Sequence, residues 1–280
     1  MKVDYSWLQQ QFAITLPKDT ATDAPESLTF RELCDPARMS GLLHTYAESI
    51  KADSQAPAAT FLSGWLRTFA LGFQYGLSVY NSAFSVKAEQ TRLQVIRDEQ
   101  SGRIRFEFVL ANGELLDAPV HPQERAEWRE AAVRGLYSEC LKPVFDCISS
   151  VSELPAGQLW GQLPGAFYNQ TASWCSALED EAAVVGRIRD DFAFLKELEP
   201  DLFGLKHNPF HAKLTFVEDM KDPGKTVALK SSCCLFYRTD GGYYCYTCPR
   251  MNEEERKQRR TEARQAVSQY LNTSAAGHIR

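Results

Sequence analysis

Two periodicities divide this chain. Apolar residues recur at helical spacing over Phe30–Ser49 and Ala58–Ser82, the second stretch preceded by Pro57, a residue suited to a first helical turn. Ahead of them, Leu16 to Leu28 is rich in Pro, Ser, Thr and Asp and is expected to be irregular. The period then shortens to two. Leu93 and Val95, and after a Gln100-Ser101-Gly102 turn Ile104, Phe106, Phe108 and Leu110, alternate with polar residues as a hairpin does. Asn112-Gly113 signals a second turn, so Leu115–Pro119 is expected to add a third strand.

From His121 the helical period returns. A long helix is predicted over Pro122–Val151, kinked or broken at Pro143, with others over Gly157–Ala177 and Glu181–Leu198. Glu199–Lys225, with Pro200, Gly204, Pro209, Pro223 and Gly224, reads as loops around one short strand at Lys213–Val217. Asn252-x2-Glu255 is a capping box opening a helix over Glu253–Leu271. The expected fold is α+β, mainly helical with a small antiparallel sheet and a C-terminal cysteine-rich segment. Residues 1–120 would form an N-terminal α+β region and 121–280 a helical region bearing the cysteines, as two units or one continuous domain.

Phe61 to Tyr80 is apolar for about twenty residues and contains Gly72-x3-Gly76, so it has the length of a membrane span. Arg67 and Gln74 oppose that reading. A core helix that turns Arg67 outward and packs closely at Gly72 and Gly76 accounts for the stretch, and no transmembrane span is expected.

The net charge of −5 and pI near 5.6 oppose broad nucleic-acid binding. Eight cysteines in 280 residues do not make a small disulfide scaffold, and the first residues, MKVDYSWLQQQ, lack a signal peptide's apolar run. The expected compartment is therefore the reducing cytoplasm.

Four of those cysteines carry the candidate chemistry. Cys233, Cys234, Cys245 and Cys248 form Cys-Cys-x10-Cys-x2-Cys, the thiolate set of a tetrahedral zinc or an iron–sulfur cluster. The x2 spacing lets a tight turn aim both sulfurs at one ion. The adjacent pair is different, because neighbouring side chains of an extended strand point to opposite faces and need a backbone kink to meet one centre. Adjacency therefore counts against zinc and suits two irons, each with two ligand positions; spacing leaves open which cysteines share an iron.

The stretches Ser231-Ser232-Cys233-Cys234-Leu235-Phe236-Tyr237-Arg238 and Gly241-Gly242-Tyr243-Tyr244-Cys245-Tyr246-Thr247-Cys248-Pro249 resemble the C-terminal signature of FhuF-type ferric-siderophore reductases. Trp160, Asn169 and Asn208-Pro209 are similar to weaker landmarks of that family. The resemblance implies a [2Fe–2S] cluster on the four cysteines and reduction of siderophore-bound Fe(III) to Fe(II) in the bacterial cytoplasm, including a peripheral place at the inner membrane. It favours a hydroxamate siderophore over a catecholate. There is no Gly-x-Gly-x2-Gly turn and no P-loop, so a separate ferredoxin or reductase is expected to supply electrons.

Lys230, Arg238 and Arg250 flank the motif and are candidate substrate-binding residues, able to attract an anionic chelate or an acidic donor. Phe236, Tyr237, Tyr243, Tyr244 and Tyr246 are expected to shield the centre. Cys34, Cys140, Cys147 and Cys175 read as core thiols. His207 and His211 stand at ligand-like spacing, but Asn208-Pro209 breaks the helix that would align them, and they read as loop residues. The run Glu253-Glu254-Glu255-Arg256-Lys257 with Arg259-Arg260 reads as a solvated helix face, paired Glu253 to Lys257 and Glu255 to Arg259. Two rivals use the same residues otherwise: a zinc-stabilised four-cysteine interaction module, and an accessory protein of siderophore assembly.

Overall fold

The computed structural model describes residues 3–17, 26–111 and 115–276, with side chains as far as residue 267. Most of the irregular Leu16–Leu28 segment and the Asn112-Gly113 turn lie outside the described residues. Helix α1, Tyr5–Phe12, is capped by Asp4, which accepts from the Trp7 N–H at 3.0 Å, and leads through a left-handed Ala13 into strand β1, Ile14–Thr15. After β2, Ser27–Thr29, the helix expected over Phe30–Ser49 is two: α2, Phe30–Leu33, and α3, Pro36–Ser49. Asp35 makes the break. Its carboxylate accepts from the Arg38 N–H at 2.9 Å, and Pro36 begins the new helix.

Helix α4, Gln55–Tyr75, begins three residues before the expected start and widens into a π-helical turn over Gly76–Tyr80. Gly72 lies where any side chain would strike Ile14 and Phe12, which fixes α4 against α1 and β1. Among the described residues no helix is long and apolar enough to cross a membrane. The end of α4 is tied down by a buried chain in which Gln74 donates to Ser78 (3.0 Å) and Ser78 to the fully buried Asp191 carboxylate (2.9 Å), itself paired with Arg125 and Arg129.

Strand β3, Ser82–Phe84, precedes the predicted hairpin, β4, Thr91–Arg97, and β5, Ile104–Leu110. Leu93 stands opposite Phe108 and Val95 opposite Phe106, so the alternating apolar positions face one core. The expected third strand exists as β6, Leu115–Asp117, but it pairs with β3 and does not extend the hairpin. The hairpin's own partners are β2 and β1 in the order β1-β5-β4-β2, and β1 runs parallel to β5. This sheet is therefore mixed; a two-residue parallel strand is too short to leave a periodic signal.

Pro143 breaks the long helix as expected, by an unexpected device. Helix α5, Pro122–Arg134, passes into a π segment, Gly135–Leu141, before α6, Lys142–Ser152. The wider turn accommodates a ring that cannot donate to the preceding turn and would crowd it. The single helix expected over Gly157–Ala177 is two, α7, Ala156–Trp160, and α8, Pro164–Ala177, because Pro164 starts a new helix; α9, Ala182–Glu197, follows. The predicted late strand is β7, Phe216–Glu218, paired antiparallel with an unpredicted β8, Thr226–Ala228, and α10 is Glu253–Ala276. One apolar core runs from Leu8 to Phe210. A second, small cluster is centred on Cys233, Leu235, Cys248 and Met251.

Candidate metal centre

The segment leading to Cys233 lies directly on α7 and α8 because two glycines leave room for it. A side chain at Gly165 would come within 2.7 Å of the Leu229 carbonyl, and one at Gly161 within 2.7 Å of Ser232 Oγ. Polar groups then fix the course of the chain. Gln162 Nε2 donates to Ser232 Oγ at 2.6 Å and to the Cys233 carbonyl at 3.3 Å, Ser232 donates to the Gln158 carbonyl at 2.6 Å, and Thr60 of α4 donates to the Cys234 carbonyl at 2.6 Å. Immediately afterwards Leu235 turns left-handed, φ 58°. This is the kink that adjacent cysteines require, and burial of the Leu235 side chain helps to hold it. The loop returns through Gly241, φ 67°, and Gly242, whose missing side chain would strike the Phe236 carbonyl.

The sulfurs meet in two pairs. Cys233 and Cys248, both buried, stand 3.9 Å apart; Cys234 and Cys245, half-buried, share a hydrogen bond. Two sulfurs about 2.3 Å from one tetrahedral metal lie roughly 3.8 Å apart, so the first pair already has the spacing of co-ligands. Among the described residues no three potential ligands gather as a single ion would require. Backbone N–H groups of Leu235 and Arg250 donate to the sulfurs of Cys233 and Cys248, each at 3.4 Å, and the Lys230 ammonium lies 3.3 Å from Cys234 Sγ. The Cys245 hydrogen bond, then Lys230, hold the Cys234 thiol below its ordinary pKa; the same bond raises Cys245, and burial raises Cys233. A donor set of four paired thiols with N–H and ammonium groups on sulfur fits an iron–sulfur cluster.

Beside the Cys234–Cys245 pair lies a cavity of about 420 Å³. Helix α4 supplies one wall: Phe61, Trp65 and Thr68 recur at helical spacing on one face, and Gly64 between them leaves the concavity. Lys230 and Arg67 also line it. The outward Arg67 expected from the sequence is therefore corrected. Its guanidinium reaches the Gln162 carbonyl at 3.4 Å, its Nε is buried without a partner, and burial pushes its pKa below the ordinary value.

Helix α10 closes the other side, and its charge run is not the solvated face expected. Arg256 is buried and donates to the carbonyls of Tyr246, Cys248 and Met251 at 3.1, 3.0 and 3.2 Å. Arg259 donates to the Tyr244 carbonyl and lies over the Tyr243 ring. Glu255 does pair with Arg259, at 2.8 Å, whereas Glu253 pairs with Arg256 and Arg260 and not with Lys257. Of the expected capping box the N-cap half is seen, with Asn252 accepting from the Glu255 N–H at 2.8 Å.

Of the three flanking cations, Lys230 faces the cavity. Arg238 binds Asp53 at 2.9 Å and Ser54 at 3.2 Å, which ties the cysteine loop to the α3–α4 connection and holds the Asp53 carboxyl below its usual range. Arg250 donates to the Tyr237 hydroxyl at 2.7 Å. His207 and His211 are exposed and line a separate cavity with Lys196 and Pro200, away from the four cysteines. Cys140 and Cys147 are buried, and burial pushes their pKa values to about 12 and about 11. Trp160 stacks on Phe145 in the core, Asn169 bonds β8, and Asn208 donates to the carbonyls that end α9. Sequence reasoning missed Thr60, Gln158, Gln162 and Arg256, which hold the cysteine backbone from elements distant in the chain.

A comparison of the chain with curated proteins finds no match. The stretch of residues 231–250, which contains all four paired thiols, matches the FhuF 2Fe-2S C-terminal domain family.

Proposed function

We propose that the protein is a ferric-siderophore reductase whose [2Fe–2S] cluster is held by Cys233 and Cys248 on one iron and by Cys234 and Cys245 on the other. The observation that carries this reading is the pairing of the four thiols beside an open cavity, within the segment that matches the FhuF 2Fe-2S C-terminal domain. When bound, such a cluster supplies electrons one at a time. The remaining work belongs to the chain. The Leu235 and Arg250 N–H groups and Lys230 stabilise charge on sulfur; Phe61, Trp65 and Phe236 exclude water from the half-buried pair; the cavity holds the acceptor next to it.

The acceptor gains one electron for each electron that a separate ferredoxin or reductase delivers. Hard oxygen donors grip Fe(III) far more tightly than Fe(II), so reduction releases the iron. A hydroxamate chelate, in the cytoplasm, is the substrate this reading favours. Anaerobically purified protein should contain two irons and two sulfides per chain, and after chemical reduction should pass electrons to a ferric hydroxamate while ferrous iron accumulates on a ferrous-specific chelator. Colourless protein with stoichiometric zinc and no sulfide would replace the proposal with the zinc-stabilised module. An intact, reducible cluster that no ferric siderophore reoxidises would reject the reductase function.

A further inference from the structure

The cavity beside Cys234 is lined by two cations, Lys230 and Arg67. Lys230 is accounted for by its bond to Cys234 Sγ. Arg67 donates to a carbonyl at 3.4 Å, has an orphaned buried Nε, and has no carboxylate paired with it among the described residues. The opposite charge near it is the Cys234 sulfur, with which it shares no hydrogen bond, so its N–H donors are under-engaged and an arriving anion would satisfy them. The guanidinium fork matches a carboxylate or another pair of anionic oxygens. The surrounding wall, Phe61, Trp65 and Phe236, is apolar and aromatic, and about 420 Å³ is within the range of small-molecule sites. Two other cavities offer less. The one at His207 and His211 takes its histidines from the exposed surface, where water already solvates them, and the one at Tyr243 and Arg259 is lined by the contacts that hold the cysteine loop.

We infer that this cavity is the chelate-binding site and that Arg67 makes it selective, among hydroxamate chelates of Fe(III), for those that carry a carboxylate and net negative charge, through an anionic oxygen of the chelate seated on the guanidinium. The inference rests on the reductase reading for the identity of the metal; the charge class and the residue that reads it are added here. Arg67 is a positioning residue and takes no part in electron transfer.

Gallium(III) separates binding from reduction, because its chelates copy the shape and charge of the ferric ones and cannot be reduced under these conditions. The holoprotein is titrated calorimetrically with a carboxylate-bearing gallium chelate of net negative charge and with a neutral gallium trihydroxamate. The wild type should prefer the anion. Arg67→Gln should weaken binding of the anion by about tenfold to a hundredfold, with the neutral chelate nearly unaffected, and Arg67→Lys should restore part of the loss. The melting temperature of ligand-free Arg67→Gln should equal or exceed that of the wild type, since a charged group with an orphaned buried Nε has been removed.

Unchanged affinity for the anion in Arg67→Gln overturns the inference, most plainly if the cluster's midpoint potential moves instead, which would make Arg67 a counter-ion of the cluster. Reduction of anionic and neutral ferric chelates with equal KM also overturns it and leaves the reductase reading intact. Arg67-dependent binding of the gallium anion, in a protein that reduces no ferric chelate, does the reverse.

Discussion

Replacing Arg256 by Met would keep the side-chain stem and remove the guanidinium that closes the cysteine loop from below. Three carbonyls, of Tyr246, Cys248 and Met251, lose a charged donor at 3.0 to 3.2 Å. A hydrogen bond to a charged group contributes about 1.5–3 kcal/mol when buried. The Cys248 carbonyl keeps the Met251 N–H at 3.3 Å, and Tyr246 is half-buried and within reach of water, so the sum falls well short of three full bonds. The lost pairing with Glu253 adds little, because that carboxylate is 64% exposed. A net local loss of about 3 kcal/mol corresponds to roughly a hundredfold more frequent opening of the loop. Native-state hydrogen exchange reads this directly. The Cys248, Met251 and Lys230 amides, bonded to Cys245, Cys248 and Thr247, should lose about that much protection while amides of α4 keep theirs, and iron and sulfide should leave faster during dialysis against a chelator. Protection at these amides within about twofold of wild type, with metal retention unchanged, would refute the argument that Arg256 holds the loop.

Cys245→Ser and Cys248→Ser should lose iron and sulfide, whereas Cys34, Cys140, Cys147 and Cys175 changed singly to Ala should keep the cluster's visible absorption; loss on changing Cys175 in a folded protein would show that the ligand set is wrong. Gly165→Ala should destabilise by about 1–3 kcal/mol and reduce metal retention, because its Cβ must displace the Leu229 backbone, and Gly157→Ala, with open space at that position, serves as the neutral control. Equal effects of the two would remove the close-approach argument. Burial holds Tyr46 and Cys140 neutral up to about 12 each, against ordinary values of 10.0 and 9.0. Both pKa values are raised on folding, so their contribution is complete below pH 9 and is lost above it, where only the unfolded chain releases the protons. Stability should therefore fall as pH rises from 9 towards 12, and a urea midpoint unchanged between pH 8 and pH 11 would contradict this.

The local pattern determined the parts of this molecule that depend on neighbours in sequence. The hairpin of Leu93 and Val95 against Phe106 and Phe108, the helices, the break at Pro143 and the Asn252 cap were legible because period, ring geometry and capping are short-range effects. The four thiols were legible as a set from their spacing. Their pairing was not, because it depends on a left-handed Leu235 that no residue type announces. The pairing of β6 with β3, the parallel β1 and the burial of Arg256 were likewise decided by what each segment meets after collapse. Arg67 is the clearest case. On α4 alone it belongs to a polar stripe, and helical phase would send it to solvent; the packing of residues 158–162 and 229–236 over that stripe encloses it beside Cys234. Contacts between positions about a hundred residues apart leave no periodic trace, so tertiary structure alone could turn an ordinary surface arginine into a cation that lines a cavity.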